Sequence, residues 1–470
     1  MTGIESRAVS GQGPIVLPRR QIVTMVTALV LAVVSFALNA SMVSPAYHDI
    51  NTQLGPEAFV TMSTFFYLAG AVANVVLIRW SDYIGRRRVL LIILVVLVIG
   101  TVLCVVATSL PLFVVGRALQ GTSNITYGLA FLIMRERLSG PMFGVCCGIM
   151  ASVNGGVAGT DALLGGVLVD RFGYRSIFVV ILVVCLAALA FAWRSVPADN
   201  GAGVAGATGR MDWIGAVLIA LGVCGINMYF SRGGRFGWLS TPAAAWLAVA
   251  AVALIALVVI ENRVAHPLVA MKHMRSREAW PLILVTILVM ASFMVVLGLV
   301  VPALAEDPDS GFGHSATMAA LLFITPAAGA QVLTSPLIGR LAVRIGFVTL
   351  LRAGLAAGVA VVILLALVVK QQTLVTLVMI LFGVAFGMMM TAMSSLGVLQ
   401  ASDEEPGALP GISNACYGIG ASLGFAWAGP LIVPGTVASF HDAIWICVGI
   451  GVLALIFSVV LRPKRVPEFA

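Results

Sequence analysis

The sequence predicts an all-α integral membrane protein of fourteen transmembrane helices in a six-two-six order, and three observations carry that expectation. Apolar residues make up 60% of the 470 residues and charged residues only 10%, with a mean hydropathy of +1.08. A soluble domain carries about 25% charged residues. Long apolar runs recur along the chain, each near the roughly 20 residues that a bilayer core requires. Finally, Ile78-Arg-Trp-Ser-Asp82-Tyr-Ile-Gly85-Arg86-Arg87-Arg88 is echoed by Gly339-Arg-Leu-Ala-Val343-Arg344-Ile-Gly346, each copy set between two apolar runs. Gly85 and Gly346 hold the same place in the two copies, so the chain reads as a duplicated membrane unit. Duplicated halves around a central path are the architecture of secondary transporters.

In chain order, residues 1–20 form a tail containing Arg7, Arg19 and Arg20. Six spans follow at about 22–46, 58–79, 88–108, 110–134, 141–169 and 175–196, giving a first bundle over 21–196. The Gly/Ala-rich stretch Asn200 to Gly209 reads as a linker. It leads into two spans without counterpart in the repeat, 211–230 and 242–260, so that 197–277 is linker plus extra pair. Six more spans, at 278–304, 314–339, 347–369, 373–394, 408–433 and 440–461, form a second bundle over 278–462, followed by a tail at 463–470.

Basic residues orient the array. With both termini inside, the inner loops, tails and adjoining helix ends hold 21 of the 27 Lys and Arg, against 5 outside. That asymmetry is the positive-inside pattern. The net charge of +8 is therefore assigned to anionic membrane lipid and not to nucleic acid. Trp80, Trp193, Trp213, Trp238, Trp280 and Trp445 lie near span ends, as an interfacial belt requires. The first apolar run is too long for a signal peptide. The seven cysteines lie in apolar segments without a C-x-x-C, and the five histidines lack ligand spacing, so no metal and no cofactor is expected. No G-x-x-x-x-G-K-[ST] motif is present, so energy must come from an ion or substrate gradient and the chain is not read as an enzyme.

The motifs resemble those of the 14-helix drug:proton antiporter family within the major facilitator superfamily, over nearly the whole chain. Asp82-Tyr-Ile-Gly85-Arg86-Arg87 is similar to the family's loop between helices 2 and 3, with Ile78 where Gly is usual. Arg117-Ala-Leu-Gln120-Gly121 matches the helix 4 motif. Asp170-Arg171-Phe172-Gly173-Tyr174-Arg175 matches the turn after helix 5, and Asp212-Trp213-Ile-Gly215 resembles the start of the extra pair. The resemblance implies alternating access by rocking of one bundle against the other. It also implies that Asp82, Gly85, Arg86 and Arg87, with Gly346 in the second copy, gate the inner mouth. Two departures stand out. Asn39 occupies a position where many such antiporters carry Asp, and Asp161-Ala162 replaces the Gly-Pro pair ahead of Gly165-Gly166. Without that pair, helix 5 is expected to run straighter.

Asp161 is the only acid deep in a predicted span, where a charge costs at least about 2.5–3.5 kcal/mol. It is expected to face a cavity or a partner and to carry the coupling proton. Arg117 is the only deep base. Counting from the span ends at 1.5 Å per residue puts Asn39, Arg117 and Asp161 at a common depth, roughly 10–12 Å below the outer surface. An Arg117–Asp161 pair that tunes the proton site is therefore geometrically open, with Asn39 and Gln120 as neutral neighbours. A permanent ion pair that only fixes packing is the plainer alternative. Asn124, Tyr127, Asn154, Gln331 and Asn414 join Asn39, Arg117, Gln120 and Asp161 as candidate substrate-binding residues. Met388, Met389, Met390 and Met393 suggest an adaptable apolar wall. Glu306, Asp307 and Asp309 read as a solvated outer rim.

The expected function is secondary active transport of small organic molecules across a bacterial cytoplasmic membrane by a monomeric, multi-pass protein. Proton-coupled export of the multidrug or metabolite type leads. Proton-coupled or facilitated uptake of a small metabolite, an anionic one included, is the first alternative, and a receptor or scaffold that no longer transports is the second.

Overall fold

The computed structural model describes residues 18–138, 140–198, 211–263, 276, 278–400 and 408–462. The side chains of most of 140–159 and those of 398 and 408–411 are not among those described. The linker expected at Asn200–Gly209 and much of the loop before residue 276 lie outside these residues. All regular structure in the described residues is helical. In chain order it comprises α1 (Arg19–Leu54), α2 (Ala58–Ile84), α3 (Arg86–Val106) and α4, which is broken into Leu110–Gly121, a 3-10 turn Thr122–Ile125 and Thr126–Arg137. Then come α5 (Gly140–Phe172), α6 (Arg175–Ser195), α7 (Trp213–Phe236) and α8 (Thr241–Glu261). The second bundle holds α9 (Trp280–Glu306), α10 (Ala316–Ile345), α11 (Phe347–Val368), α12 (Gln372–Leu399), α13 (Ala408–Ile432) and α14 (Val437–Val460).

Among the described residues, twelve of these helices are long and apolar enough to cross a membrane. The expected count of fourteen is thus met only in part. α4 is interrupted by its 3-10 turn just after Arg117 and Gln120, so neither piece is span-length. α5 is one unbroken helix of 33 residues. The first helix also extends beyond its expected end at residue 46, bending through a 3-10 turn at Ser44–Ala46. Pro45 removes a backbone donor there, and the chain continues as helix Tyr47–Leu54.

The duplication is visible in the backbone. Gly85 has φ 100° and ψ 141°, and Gly346 has φ 87° and ψ 144°. Each ends one helix and starts the next, in a conformation open to glycine and strained for any side chain. The arginines nearby are also related. Arg87 donates to the carbonyl of Trp193 at the end of α6 (2.7 Å), and Arg352 donates to the carbonyls of Ser458 (3.2 Å), Val459 (3.2 Å) and Leu461 (3.1 Å) at the end of α14. In both bundles the third helix clamps the last helix at its carbonyl terminus, where a cation is favoured.

The two bundles meet along α2 against α13 and α5 against α10. Tyr67 and Phe59 contact Phe425 at ring distances of 5.6 and 6.4 Å. Ala162 packs with Ala320 and Ile324. Gly165 and Gly166 lie so close to the backbone oxygens of Met42 and Ala316 that a Cβ would approach them to 2.2 and 2.6 Å. Small residues are required at both positions for the helices to close. α9 and α10 each contain π-helical turns in the halves away from the chain termini, at Met290–Met294, Val296–Val300 and Ala320–Ile324. The extra pair, α7 and α8, lies beside α2 and α13 through Leu68, Ile219, Val223 and Leu257. Trp80 meets Trp213 at one end, and Arg235 pairs with Glu57 at the other. A small cleft beside that ion pair is lined by Glu57, Thr61, Thr64, Met228, Ser231 and Arg235 among others, and no candidate site residue lines it.

Candidate functional site

Two buried ionisable groups flank one turn of α1. Arg117 is 2% exposed and Asp161 3% exposed. Both guanidinium Nη atoms of Arg117 donate to the backbone carbonyl of Asn39 (3.2 and 3.1 Å), and Nη1 also donates to Gln120 Oε1 (2.9 Å). Gln120 passes the connection on, its Nε2 donating to Thr101 Oγ1 at 3.0 Å. The guanidinium lies 4.2 Å from the ring centroid of Phe66 and 5.8 Å from that of Phe178. Asp161 instead accepts a short hydrogen bond from the hydroxyl of Ser41. Its other oxygen, Oδ1, is buried without a hydrogen-bond partner among the described residues.

The Arg117–Asp161 pair left open by the sequence does not form. No ion pair reaches either residue among the described residues. The physical reason lies in α1, whose backbone at Asn39 and side chain at Ser41 stand between the two. Arg117 is consumed by a carbonyl, an amide and an aromatic face inside the first bundle. Asp161 is left with one hydroxyl donor and no compensating cation, at the seam where Ala162 meets α10. A carboxyl in that position carries a charge only at a desolvation cost, so it is chemically able to take up and release a proton as its surroundings change.

The remaining candidates separate by environment. Asn39 is fully buried, its Nδ2 donating to the Ser35 carbonyl (2.8 Å), so its side chain belongs to the bundle interior. Asn124 and Tyr127 are half-buried on α4, with the Tyr127 ring 4.8 Å from Phe131. Gln331 and Asn414 are half-buried on α10 and α13, and Gln331 lies against Gly387. The side chain of Asn154 lies outside those described. Two residues missed from the sequence stand with this group. The Tyr417 hydroxyl is 3.2 Å from Ser394 Oγ. Tyr417 is one turn from Asn414, so a polar face on α13 was readable there. Met389 and Met393 are fully buried core residues, which leaves only Met388 and Met390 for any apolar wall.

At the end that holds the chain termini, the loop cluster is satisfied within the first bundle. Asp82 lies 3.9 Å from Arg79 and 3.4 Å from Arg86, and Arg86 reaches Glu136 (2.7 Å) and the Leu132 carbonyl (3.1 Å). No contact of Asp82 with a neighbouring helix N-terminus is seen among the described residues. At the opposite end, three hydrogen bonds join the bundles. Asp170 accepts from the backbone N–H groups of Ala316 (3.0 Å) and Thr317 (2.9 Å), and Glu306 accepts from that of His48 (2.7 Å). Glu306, expected as a solvated rim residue, is 5% exposed. That end is closed. Asp82→Asn is expected to slow turnover several-fold and to leave substrate KM within a few-fold, because Asp82 orders the loop and lies away from Asp161. Transport kinetics in reconstituted vesicles check this, and loss of binding with normal turnover would overturn it.

Comparison with known proteins agrees with this architecture. The family model described as Major Facilitator Superfamily matches residues 29–425 and, in a second match, 282–469. The uridine/deoxyuridine transporter of Lactococcus lactis subsp. cremoris strain MG1363 is 33% identical over 418 residues, covering 86% of each chain. The quinolone resistance protein NorB of Staphylococcus aureus strain MRSA252 is 23% identical over 465 residues, covering 93% of this chain and 95% of its own. Among solved structures, a D-xylose-proton symporter superposes with a TM-score of 0.67 at 16% identity, over 93% of this chain and 97% of that one.

Proposed function

Because the chain belongs to the major facilitator superfamily, we propose that it is a proton-coupled transporter that takes nucleoside-like solutes across a bacterial cytoplasmic membrane. Asp161 carries the coupling proton. The observation behind this is a buried carboxyl at the bundle seam with a single hydroxyl partner and no cation. Bundles 21–196 and 278–462 rock about it, and fourteen spans put both termini in the cytoplasm. Arg117, Asn39 and Gln120 hold the α1–α4 wall. Asn124, Tyr127, Asn154, Gln331 and Asn414 contact solute, and Asp82, Gly85, Arg86, Arg87 and Gly346 control the cytoplasmic mouth. The protein acts as a monomer.

Nucleoside as the substrate class is supported by the relative that is 33% identical over 86% of both chains. Uptake is supported by the two departures from the antiporter pattern. Asp161-Ala162 stands where Gly-Pro is usual, and Asn39 engages the bundle interior instead of offering a carboxylate. Proton-coupled export of apolar drugs is the second reading, supported by relatives such as the quinolone resistance protein. Purified protein in vesicles with an imposed pH gradient separates them. Labelled uridine should accumulate when the outside is acidic, severalfold above the level without a gradient. Exclusion of uridine, combined with gradient-driven movement of a quinolone in the opposite sense, would replace the first reading by the second.

A further inference from the structure

Glu306 is the last residue of α9 and lies at the closed end, where the bundles meet. Its Oε2 accepts the backbone N–H of His48 across the seam at 2.7 Å, while Oε1 is buried without a partner among the described residues. The ionisable groups that face it are mostly acidic. Asp49 and Tyr47 adjoin His48 on α1, and Asp170 on α5 bridges the same seam to the N–H groups of Ala316 and Thr317. The loop after α9 adds Asp307 and His314, the latter tied by its backbone N–H to the Ala305 carbonyl, and His48 keeps its own side chain in an exposed position. No ion pair reaches Glu306 among the described residues.

We infer that Glu306 is a second proton-binding residue of this transporter, and that the outer side closes only once its carboxyl is neutral. The argument is one of competing magnitudes. A single charge-assisted bond to His48 does not offset the lost hydration of a buried carboxylate facing fixed negative charges. A neutral carboxyl keeps the His48 bond and avoids most of that cost. Asp170 is the contrasting case. Each of its oxygens accepts from a backbone N–H at the start of α10, where the helix favours an anion, so it serves as the permanent half of the seal. When the outer ends separate, Glu306 meets water and releases its proton. The closed state therefore binds a proton that the open state does not, and by linkage acid stabilises closure, while rising pH opens the outer side.

This rests on the chain being a transporter with two alternating states, as proposed above, and not on the identity of its solute. The test uses the full chain in lipid nanodiscs without solute, so that failure of the substrate reading and failure of this inference are separate results. Spin labels at Gln53→Cys on α1 and Lys370→Cys before α12 report the outer separation, in a background that lacks the native cysteines and still transports. The wild type should shift toward the short distance as pH falls. Glu306→Gln should hold the short distance at every pH, with the pH response lost, and Glu306→Ala should lose it as well. Asp161→Asn should retain most of the response. Retention of the full wild-type response by both Glu306 variants, or opening on acidification, would overturn the inference.

Discussion

Asp161→Asn is expected to abolish uphill transport while leaving energy-independent exchange of solute. For one proton per solute, one pH unit supports about a tenfold accumulation, since 1.4 kcal/mol is a factor of ten in an equilibrium. The variant should bring that ratio down to about one. A carboxamide keeps the shape of the side chain and can still accept from the Ser41 hydroxyl, so packing at the seam of Ala162, Ala320 and Ile324 is preserved. What it loses is the ability to change charge. The pH dependence of exchange contributed by this residue should flatten accordingly, because an amide behaves as a permanently protonated acid. The measurement is accumulation and counterflow of labelled uridine on the same vesicles across a pH series. Accumulation with an unchanged pH profile would make Asp161 structural and move the coupling site elsewhere. Ser41→Ala is a useful companion, since it withdraws the one donor to the carboxylate and leaves its charge chemistry in place.

The sequence carried the helical architecture because the bilayer imposes a length and an apolarity that composition reveals directly. It carried the duplication because Gly85 and Gly346 are forced by a backbone conformation that other residues avoid. It identified Asp161 and Arg117 because deep charges are costly and therefore rare. It could not say how those charges are partnered. Depth is a one-dimensional coordinate, and residues at equal depth on α1, α4 and α5 differ in azimuth, which helix packing alone sets. Thus the Arg117 guanidinium turned to the Asn39 carbonyl and the Phe66 ring, neither of which is a charge that sequence inspection would pair with it. Glu306 departs from the expected solvated rim for a related reason. A carboxylate at a span end normally reaches water, whereas here the His48 N–H lies over it and the loop after α9 folds back onto the Leu304 and Ala305 carbonyls. The 3-10 interruption of α4 likewise left no mark in hydropathy.

Arg117→Ala is expected to destabilise the first bundle far more than it perturbs proton coupling. The guanidinium bridges α1 to α4 through Asn39 and Gln120, and α4 to α3 through Gln120 and Thr101. It also covers the face of Phe66 on α2. Truncation leaves the Asn39 carbonyl and Gln120 Oε1 without their donor and opens a void between aromatic rings. Leaving a buried neutral acceptor without its donor costs about 1–3 kcal/mol per group, and the void adds to that loss. Arg117→Lys restores the charge but not the planar two-pronged donor, so it should recover only part of the loss. Apparent Tm of the purified protein and its abundance in the membrane are the measurements. The transport pH profile of whatever folds should match the wild type, because α1 separates the guanidinium from Asp161 and no ion pair joins them. If Arg117→Ala melts like the wild type and instead shifts the pH profile or the KM for uridine, then Arg117 acts directly on the proton or the solute. The bundle-interior role assigned to it would then be wrong.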